Sequence, residues 1–405
     1  MRLWTTAIVT VTAAMLFHLL FRSIPLAALD FHASRPDATH TMRAIVYDRH
    51  GGPDVLRLEP HHPMPVLQDH QLLVHVHASA LNPVDFKYRR NTLPRWLLPK
   101  PKIPGHDVSG VVVQVGKKAA SQKTTPKSSW QVGDRVCAMI PSLLSPWGTL
   151  AEYVAVDASL VAHVGPRTSL LDAASFPLVS LTAIQAFQNL NHTHLDGPNH
   201  NNSNSKRMLI HAGAGGVGTF AVQYAKKILH MEHVAVTAST AKAERMRALG
   251  ADQVLDYRNL NEAVLKDFDA VLDPMSWAYE ERTLSSLKKP SGHYLNILSS
   301  DWAFDPGRGE RSIGFMSLRH WIQSKLFHSF KLGSTIPRYS LIAVQPNGVM
   351  LQEVMDLVDQ EIIVPVVDRI FPLEEAAAAF VYLEQGHATG KVVVDHHPVK
   401  TATKP

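Results

Sequence analysis

The stretch KRMLIHAGAGGVGTFAVQYAKK, residues 206–227, decides the fold of this chain. A short apolar run at 208–212 predicts a strand, and Gly213, Gly215 and Gly218 follow it at the spacing G-x-G-x-x-G. Apolar side chains then recur at three- and four-residue steps, which predicts a helix that packs one face on a sheet. These side chains belong to Val217, Phe220, Ala221, Tyr224, Ala225 and Ile228. Strand, tight turn and helix in this order are typical of a dinucleotide-binding unit.

The start of such a helix favours an anion, because its first N–H groups are free and its dipole is positive there. Glycines let the backbone approach a ligand closely, since they carry no Cβ. We therefore expect a dinucleotide pyrophosphate to bind at Gly213, Gly215, Gly216, Val217 and Gly218. The alternative is a tight turn that binds nothing, because G-x-G-x-x-G alone is a weak signal.

Length and composition indicate a globular protein of more than one domain. The chain has 405 residues, of which 45% are hydrophobic, and this length exceeds a single typical core. Its formal net charge is +5, but Lys and Arg are scattered rather than gathered in a stripe, so we expect no nucleic-acid partner. The single cysteine, Cys137, excludes an internal disulfide, and its apolar surroundings favour a core position over a reactive thiol.

The N-terminal residues 1–41 have a different character, an apolar stretch followed by a polar linker. Residues 3–21 contain no Asp, Glu, Lys or Arg, and Arg2 and Arg22 flank them. A helix of this length spans about 28 Å, enough for a bilayer core, although four threonines and a histidine weaken the pattern. We expect membrane association through residues 3–21, with mitochondrial or secretory targeting as alternatives.

Hydrophobic periodicity divides the remainder into two parts. Short apolar runs typical of a barrel-like β domain predict strands at 43–47, 71–77, 108–115 and 135–139. A helical pattern then covers 173–189, where Pro177 marks a kink or a break. Further strands are predicted at 234–237, 253–255, 270–272, 293–298, 340–344 and 391–394, and helices at 241–249, 348–359 and 373–384. This alternation predicts an α/β fold with a doubly wound parallel sheet.

The tip of the second predicted strand of this sheet, residues 237–240, indicates the type of nucleotide. An NAD site usually places Asp or Glu there to bind the ribose hydroxyls, whereas this chain has Thr-Ala-Ser-Thr. Hydroxyls with a nearby cation accept a 2′-phosphate, and Lys242 and Arg245 supply candidate cations. We therefore expect NADPH rather than NADH, with Ser239 and Lys242 at the 2′-phosphate. The alternative is that both cations are solvated surface residues.

Further motifs, in order along the chain, resemble the medium-chain dehydrogenase/reductase superfamily, and within it the zinc-free quinone oxidoreductase-like and alkenal reductase enzymes. The matching stretches are MRAIVY (42–47), GGPDVL (51–56), LNPVDFK (81–87), IPGHDVSG (103–110), VGDRV (132–136), GTLAEYV (148–154), the glycine turn, LGAD (249–252) and GKVVV (390–394). The resemblance implies a GroES-like catalytic domain at 42–168, a Rossmann NADPH-binding domain at 169–335 and a return to the catalytic domain at 336–398. It also favours a homodimer.

The resemblance implies roles for individual residues. The segment from Asn82 to Lys87 would lie at the substrate cleft, where the Asn82 amide and the Lys87 ammonium could polarise an acceptor oxygen and Asp85 could orient either group. Thr182 resembles a helix threonine that packs near the nicotinamide ring, and Tyr257 resembles a residue near the 2′-phosphate. Two alternatives stay open, since Asn82 could simply shape a turn and Lys87 could lie on the surface.

Metal binding is not expected. Zinc-dependent members of the superfamily carry ligands at the positions of Asn82 and His106 and near Leu178, and only the histidine is present here. One imidazole does not make a three-ligand catalytic site, and a single cysteine excludes a four-cysteine structural site. We therefore interpret His106 as a polar cleft or structural residue.

These features predict a zinc-independent NADPH-dependent oxidoreductase that transfers a hydride to a quinone or to the C=C bond of an α,β-unsaturated carbonyl. Water or a side chain, with Tyr88 as one candidate, would deliver the proton. The alternative is a weakly active or inactive NADPH-binding scaffold of the same fold. The stretch 300–332, which contains several aromatic residues, is expected to shape the substrate pocket or a dimer contact.

Overall fold

The computed structural model describes residues 36–90, 101–121, 129–141, 145–191, 206–260, 265–275, 283–288, 291–297 and 338–397. The stretches 3–21 and 300–332, for which the sequence predicts membrane association and a pocket or dimer contact, lie outside these residues. In the described part of the chain, no helix is both long enough and apolar enough to cross a bilayer.

Three sheets and several helices organise the described residues. The strands are β1 (Pro36–Val46), β2 (Arg57–Pro65), β3 (Gln71–Leu81), β4 (Asp107–Val115), β5 (Arg135–Met139), β6 (Tyr153–Asp157), β7 (Val161–His163), β8 (Arg207–Ile210), β9 (His233–Ala238), β10 (Gln253–Asp256), β11 (Ala270–Asp273), β12 (His293–Ile297), β13 (Arg338–Ile342), β14 (Val367–Pro372) and β15 (Lys391–Asp395). The α-helices are α1 (Pro83–Arg90), α2 (Leu170–Ala173), α3 (Pro177–Asn191), α4 (Gly216–Lys227), α5 (Ala243–Ala248), α6 (Gly348–Asp359) and α7 (Ala376–Glu384).

A seven-stranded sheet forms the β-rich part of the molecule, in the order β14-β15-β3-β4-β5-β7, with β6 also paired to β3. All of its pairs are antiparallel except β14 with β15. Its register pairs Ala80 with Asp107 and Leu81 with Val392, so the end of β3 meets the starts of β4 and β15. Residues far apart in sequence therefore meet where these three neighbouring strands begin or end. The domain boundaries at 42–168, 169–335 and 336–398 stay predictions.

The six-stranded sheet is parallel throughout and has the order β10-β9-β8-β11-β12-β13. Its strand order reverses between β8 and β11, and the crevice at such a reversal is where open α/β sheets bind ligands. The glycine turn follows β8 directly, so it lies at that crevice. This sheet confirms the doubly wound α/β prediction.

Pro177 breaks the predicted helix at 173–189 into α2 and α3. Proline lacks an N–H and disfavours helical backbone in the residue before it, so it suits the first position of a new helix. Ser169 caps α2 by accepting a hydrogen bond from Asp172 N. The break lets α3 start beside Asp107, because Leu178 N donates to Asp107 Oδ1 at 2.8 Å.

Two buried histidines make the stability of this fold depend on pH. Burial lowers the pKa of His211 to about 4 and that of His396, which other positively charged side chains surround, to about 3. Both values lie below the ordinary histidine pKa of 6.5. As the pH falls below 6.5, the unfolded chain therefore binds more protons than the folded chain does. Between the pKa of a histidine in the unfolded chain and its lower pKa in the folded chain, the free energy of unfolding should fall with decreasing pH. The slope for each histidine should approach about 1.4 kcal/mol per pH unit. Urea unfolding at several pH values measures this slope.

His396→Asn should remove its share of that acid sensitivity. The matched control is His61→Asn at an exposed position, which should leave the slope as it is. An unchanged slope in His396→Asn would contradict the prediction.

Candidate active site and nucleotide-binding cleft

The glycine turn joins β8 to α4 and leaves the start of α4 open. A Cβ on Gly213 would lie 2.7 Å from Val236 Cβ, and one on Gly218 would lie 2.4 Å from Ala212 O, so packing requires glycine at both positions. Gly215 differs, because its Cβ would meet only Ala212 O, at 3.3 Å. It caps α4 without a side-chain hydrogen bond to the helix. The first N–H groups of α4 can therefore receive a pyrophosphate.

The same turn touches the segment that leads into β15. Gly390 N donates to Ala214 O at 2.8 Å, and Gly390 also forms a parallel bridge with Gly215. A Cβ on Gly216 would lie 3.0 Å from Cδ of Lys391. The predicted cofactor residues at the start of α4 thus lie against the strand that enters the seven-stranded sheet.

The other end of the predicted nucleotide site lies at the tips of β9 and β10. Their register pairs Ala238 with Asp256, so Ser239 and Tyr257 each follow directly after the last paired residues of the two strands. Lys242 follows in the next turn, where its backbone N donates to Ser239 O at 2.9 Å. Ser239, Lys242 and Tyr257, which are predicted to lie at the 2′-phosphate, thus occupy the same end of these two strands.

The Lys242 side chain also connects the two parts of the molecule. Its Nζ donates to His387 O at 2.6 Å and to Ala388 O at 3.0 Å, which leaves its third hydrogen for a phosphate oxygen. Burial lowers the pKa of Lys242, and the Asp368 carboxylate opposes that shift. Sequence reasoning missed the Asp256 carboxylate, which lies at the same end and accepts from the Thr240 hydroxyl at 2.5 Å.

A buried polar cluster lies at the meeting point of β3, β4 and β15, and we define it as Asn82, Asp85, His106, Asp107 and Lys391. Asn82 N donates to Asp85 Oδ2 at 2.7 Å, and Asp85 N donates to Asn82 O at 3.0 Å, so this pair starts α1. His106 Nδ1 lies 2.5 Å from Asp85 Oδ1. Asp85 therefore orients the imidazole of His106 while it fixes the backbone of Asn82.

Asp107 and Lys391 form the ionic centre of the polar cluster. Asp107 accepts from Asn82 Nδ2 at 2.9 Å, from Leu178 N at 2.8 Å and from Lys391 Nζ at 3.1 Å. Complete burial raises the pKa of the Asp107 carboxyl, and the Lys391 ammonium opposes that rise. The pair keeps opposite charges together in a buried site, where either charge without its partner would be strongly destabilising.

Further titratable groups are Lys87 and Tyr88 on α1 and Lys102 between α1 and β4. Lys87 is half-buried on α1, and the Tyr88 ring centroid lies 5.9 Å from that of His106. Burial raises the pKa of the Tyr88 phenol, so it stays protonated at neutral pH. Burial lowers the pKa of Lys102 to about 7, an effect that the Asp85 carboxylate opposes.

Thr182, the residue assigned to the nicotinamide end, lies on α3. Its hydroxyl donates to Leu178 O at 2.7 Å, and Leu178 N donates to Asp107. Thr182 is thus one helical turn beyond the contact between α3 and the polar cluster. Among the residues that the structure describes, no three His, Cys, Asp or Glu side chains are arranged to hold a metal ion.

Sequence reasoning missed Asp107 and Lys391 as site residues. The stretch GKVVV predicts only a strand, yet a lysine at the head of an otherwise apolar strand signals a paired charge if the strand is buried. Cys137 is buried on β5, as its apolar surroundings predict.

Two protein-family models match the chain. The alcohol dehydrogenase GroES-like domain matches residues 68–166, which include most of the seven-stranded sheet. The zinc-binding dehydrogenase model matches residues 249–394, which include part of the parallel sheet and the return to the β-rich part.

Curated proteins of similar sequence cover most of the chain. It is 33% identical over 365 residues to the 2-methylene-furan-3-one reductase of Solanum lycopersicum, covering 88% of this chain and 79% of that protein. It is 33% identical over 374 residues to the mitochondrial NAD(P)H oxidoreductase RTN4IP1 of Bos taurus, covering 87% and 89%. It is also 33% identical over 360 residues to the chloroplastic NADPH-dependent alkenal/one oxidoreductase of Arabidopsis thaliana, covering 87% and 79%.

The fold is shared with a solved structure, the quinone oxidoreductase from Coxiella burnetii. The TM-score is 0.69 at 28% sequence identity, and the match covers 88% of this chain and 99% of that one. The glycine turn, the seven-stranded and six-stranded sheets, and the relatives that match most of the chain all indicate the same family. The chain therefore belongs to the medium-chain dehydrogenase/reductase superfamily, in its quinone oxidoreductase-like group.

Proposed function

We propose that the chain is an NADPH-dependent oxidoreductase that transfers a hydride to a quinone or to the C=C bond of an α,β-unsaturated carbonyl. The observation that carries the proposal is the contact between the glycine turn and the polar cluster, since Lys391 packs against Gly216 and binds Asn82. The predicted cofactor site and the predicted substrate segment thus lie side by side. Relatives named as enone and quinone reductases support this substrate class.

The described residues suit two groups of NADPH, its pyrophosphate and its 2′-phosphate. The start of α4 at Gly215 has no side-chain cap and offers N–H groups and a positive dipole to the pyrophosphate. The Ser239 hydroxyl and the third hydrogen of the Lys242 ammonium suit a 2′-phosphate, with Tyr257 at the same end of β9 and β10. When bound, NADPH supplies the hydride.

Residues 82–88, which include the start of α1, act on the substrate that accepts the hydride. Both amide hydrogens of Asn82 are bound within the protein, by Asp107 Oδ2 and by Ala80 O. We therefore assign Asn82 to hold the start of α1 in place. This role replaces the one that the resemblance suggests, in which the Asn82 amide donates to the acceptor oxygen. Lys87 is assigned to polarise the acceptor oxygen, because an ammonium there stabilises the negative charge that develops as the hydride arrives. Tyr88 or water delivers the proton.

The reaction is proposed to need no zinc. The chain places Asn82 and Leu178 in hydrogen bonds to Asp107, and His106 Nδ1 beside Asp85, at the positions where zinc-dependent members carry ligands. The buried ammonium of Lys391 already supplies positive charge to this site. Dialysis against a chelator should leave the activity intact, and its loss would refute zinc independence.

We also propose organelle targeting through residues 3–21 and assembly into a homodimer. Two of the relatives carry mitochondrial and chloroplastic in their names, which favours organelle targeting over a membrane anchor for residues 3–21. Strand β13 forms one edge of the six-stranded sheet in the described residues, which suits pairing in a homodimer. A reporter fused to residues 1–41 and sedimentation of the full chain test these two proposals.

Lys242→Glu should raise the KM for NADPH about 10–100-fold, because it replaces a charge-assisted hydrogen bond to the 2′-phosphate with repulsion. The KM for NADH should change much less, since NADH lacks that phosphate. Steady-state assays with both nucleotides measure the difference.

The matched control is Arg247→Glu, an identical charge reversal on an exposed side chain of α5. It should leave the ratio of the two KM values nearly unchanged. Lys242 Nζ also donates to His387 O and Ala388 O. Equal rises in the KM values for NADPH and NADH would therefore mean that Lys242 holds the two parts of the molecule together and does not bind the 2′-phosphate.

A further inference from the structure

We propose that Lys391 is a positioning residue that links the cofactor turn to the substrate segment. Its stem passes the start of α4, and its ammonium fixes the Asn82 amide from which α1 is oriented. The inference rests on the proposed reductase function, to which it adds the residue that aligns the two halves of the site.

All three ammonium hydrogens of Lys391 are used. Lys391 Nζ donates to Asn82 Oδ1 at 2.6 Å, to Leu81 O at 2.9 Å and to Asp107 Oδ2 at 3.1 Å. The residue is 4% exposed. A lysine carries no more than three donors, so this ammonium has nothing left for a ligand and acts through the groups that it holds.

The ammonium sets the orientation of the Asn82 amide. It offers only donors, so Oδ1 must face Lys391 and Nδ2 must face Asp107. A flipped amide would place N–H groups against the ammonium. From Asn82 the contacts continue to Asp85 through the backbone N, and from Asp85 to His106. Lys391 therefore holds the first member of a continuous series that ends at the imidazole.

The other end of Lys391 meets the cofactor turn. The preceding residue, Gly390, has a φ of 82° and binds Ala214 O at 2.8 Å, which fixes the path of the chain past the turn. The Lys391 stem then lies where a Cβ on Gly216 would be 3.0 Å from Cδ. Any movement of α4 on nucleotide binding would therefore reach the ammonium through these contacts, and through the ammonium Asn82.

The test uses the double variant Lys391→Met/Asp107→Asn in the full chain. Lys391→Met alone would leave the Asp107 carboxylate buried without its cation, so it could fail to fold for that reason alone. The second substitution removes the unpaired charge. The matched control is Lys226→Met/Asp252→Asn, which removes an ion pair of 2.8 Å between α4 and the residue before β10, whose side chains are 30% and 33% exposed.

The first readout is hydrogen exchange of residues 82–90, with and without NADPH. We expect these amides to exchange at least about tenfold faster in the double variant than in the original chain or the control. NADPH should slow exchange at both the glycine turn and residues 82–90 in the original chain, but only at the glycine turn in the double variant. Unchanged exchange of residues 82–90, with or without NADPH, would overturn the proposal.

The second readout is the division between binding and turnover. The double variant should bind NADPH as the original chain does, while kcat falls about 100-fold, because a misplaced α1 misaligns the reacting groups. A normal kcat would overturn the role of Lys391. If the original chain itself turns over no enone or quinone, the proposed function fails, whereas the hydrogen-exchange result still decides the role of Lys391.

Discussion

Gly215→Ala should weaken NADPH binding about 100-fold, a loss of about 3 kcal/mol, while the free energy of unfolding stays nearly constant. The folded chain can accept the methyl group with a shift of a few tenths of an ångström, since its one close contact would be Ala212 O at 3.3 Å and the φ of −79° suits alanine. The same methyl group would stand where the pyrophosphate approaches the N–H groups of α4. Fluorescence titration with NADPH and urea unfolding measure the two quantities separately.

Gly218→Ala provides the contrast. A Cβ there would lie 2.4 Å from Ala212 O and 2.6 Å from Gly213 Cα, so this variant should lose stability as well as nucleotide binding. If Gly215→Ala bound NADPH as tightly as the original chain, the pyrophosphate would not lie at the start of α4.

Glu384→Gln should cost about 3–5 kcal/mol of folding stability, because it strands a buried guanidinium. Arg89 is 0% exposed and forms an ion pair with Glu384, and Arg90 pairs with the other oxygen of the same carboxylate. The Arg89 guanidinium also lies 4.9 Å from the ring centroid of Phe380, and burial lowers the pKa of Arg89. These contacts fasten α1, which carries the substrate segment, to α7.

Asp54→Asn is the matched control for this ion pair. Asp54 pairs with Arg49 at 3.6 Å, and both side chains are more than two-thirds exposed, at 72% and 71%. Its removal should cost less than about 1 kcal/mol in the same urea experiment. Equal losses in Asp54→Asn and Glu384→Gln would mean that the buried pair adds nothing to the attachment of α1.

Local sequence patterns were sufficient for the elements that their own residues determine. The glycine turn follows from the spacing of three glycines between an apolar run and a helical repeat, and the structure places it at the reversal of the parallel sheet. The predictions of a strand at 135–139 and a helix at 348–359 match β5 and α6 residue for residue. Each of these depends on side chains close together in sequence.

Elements that depend on distant partners could not be predicted in this way. Strand β2 contains three prolines that argue against a strand, and it forms because β1 pairs with it at the edge of a two-stranded sheet. Lys391 and Asn82 are 309 residues apart, and no periodicity in either segment specifies their contact. The resemblance suggested Asn82 as a donor, but the amide is committed to partners that only the folded chain brings near.

The most direct test of the proposed function is the consumption of NADPH by the full chain with a simple enone and, separately, with a benzoquinone. We expect that one NADPH is oxidised for each molecule of acceptor reduced with at least one of the two, and that NADH is used at least about tenfold less efficiently. A chain that binds NADPH tightly but oxidises it with neither acceptor would contradict the account, and the NADPH-binding scaffold would then be the better description.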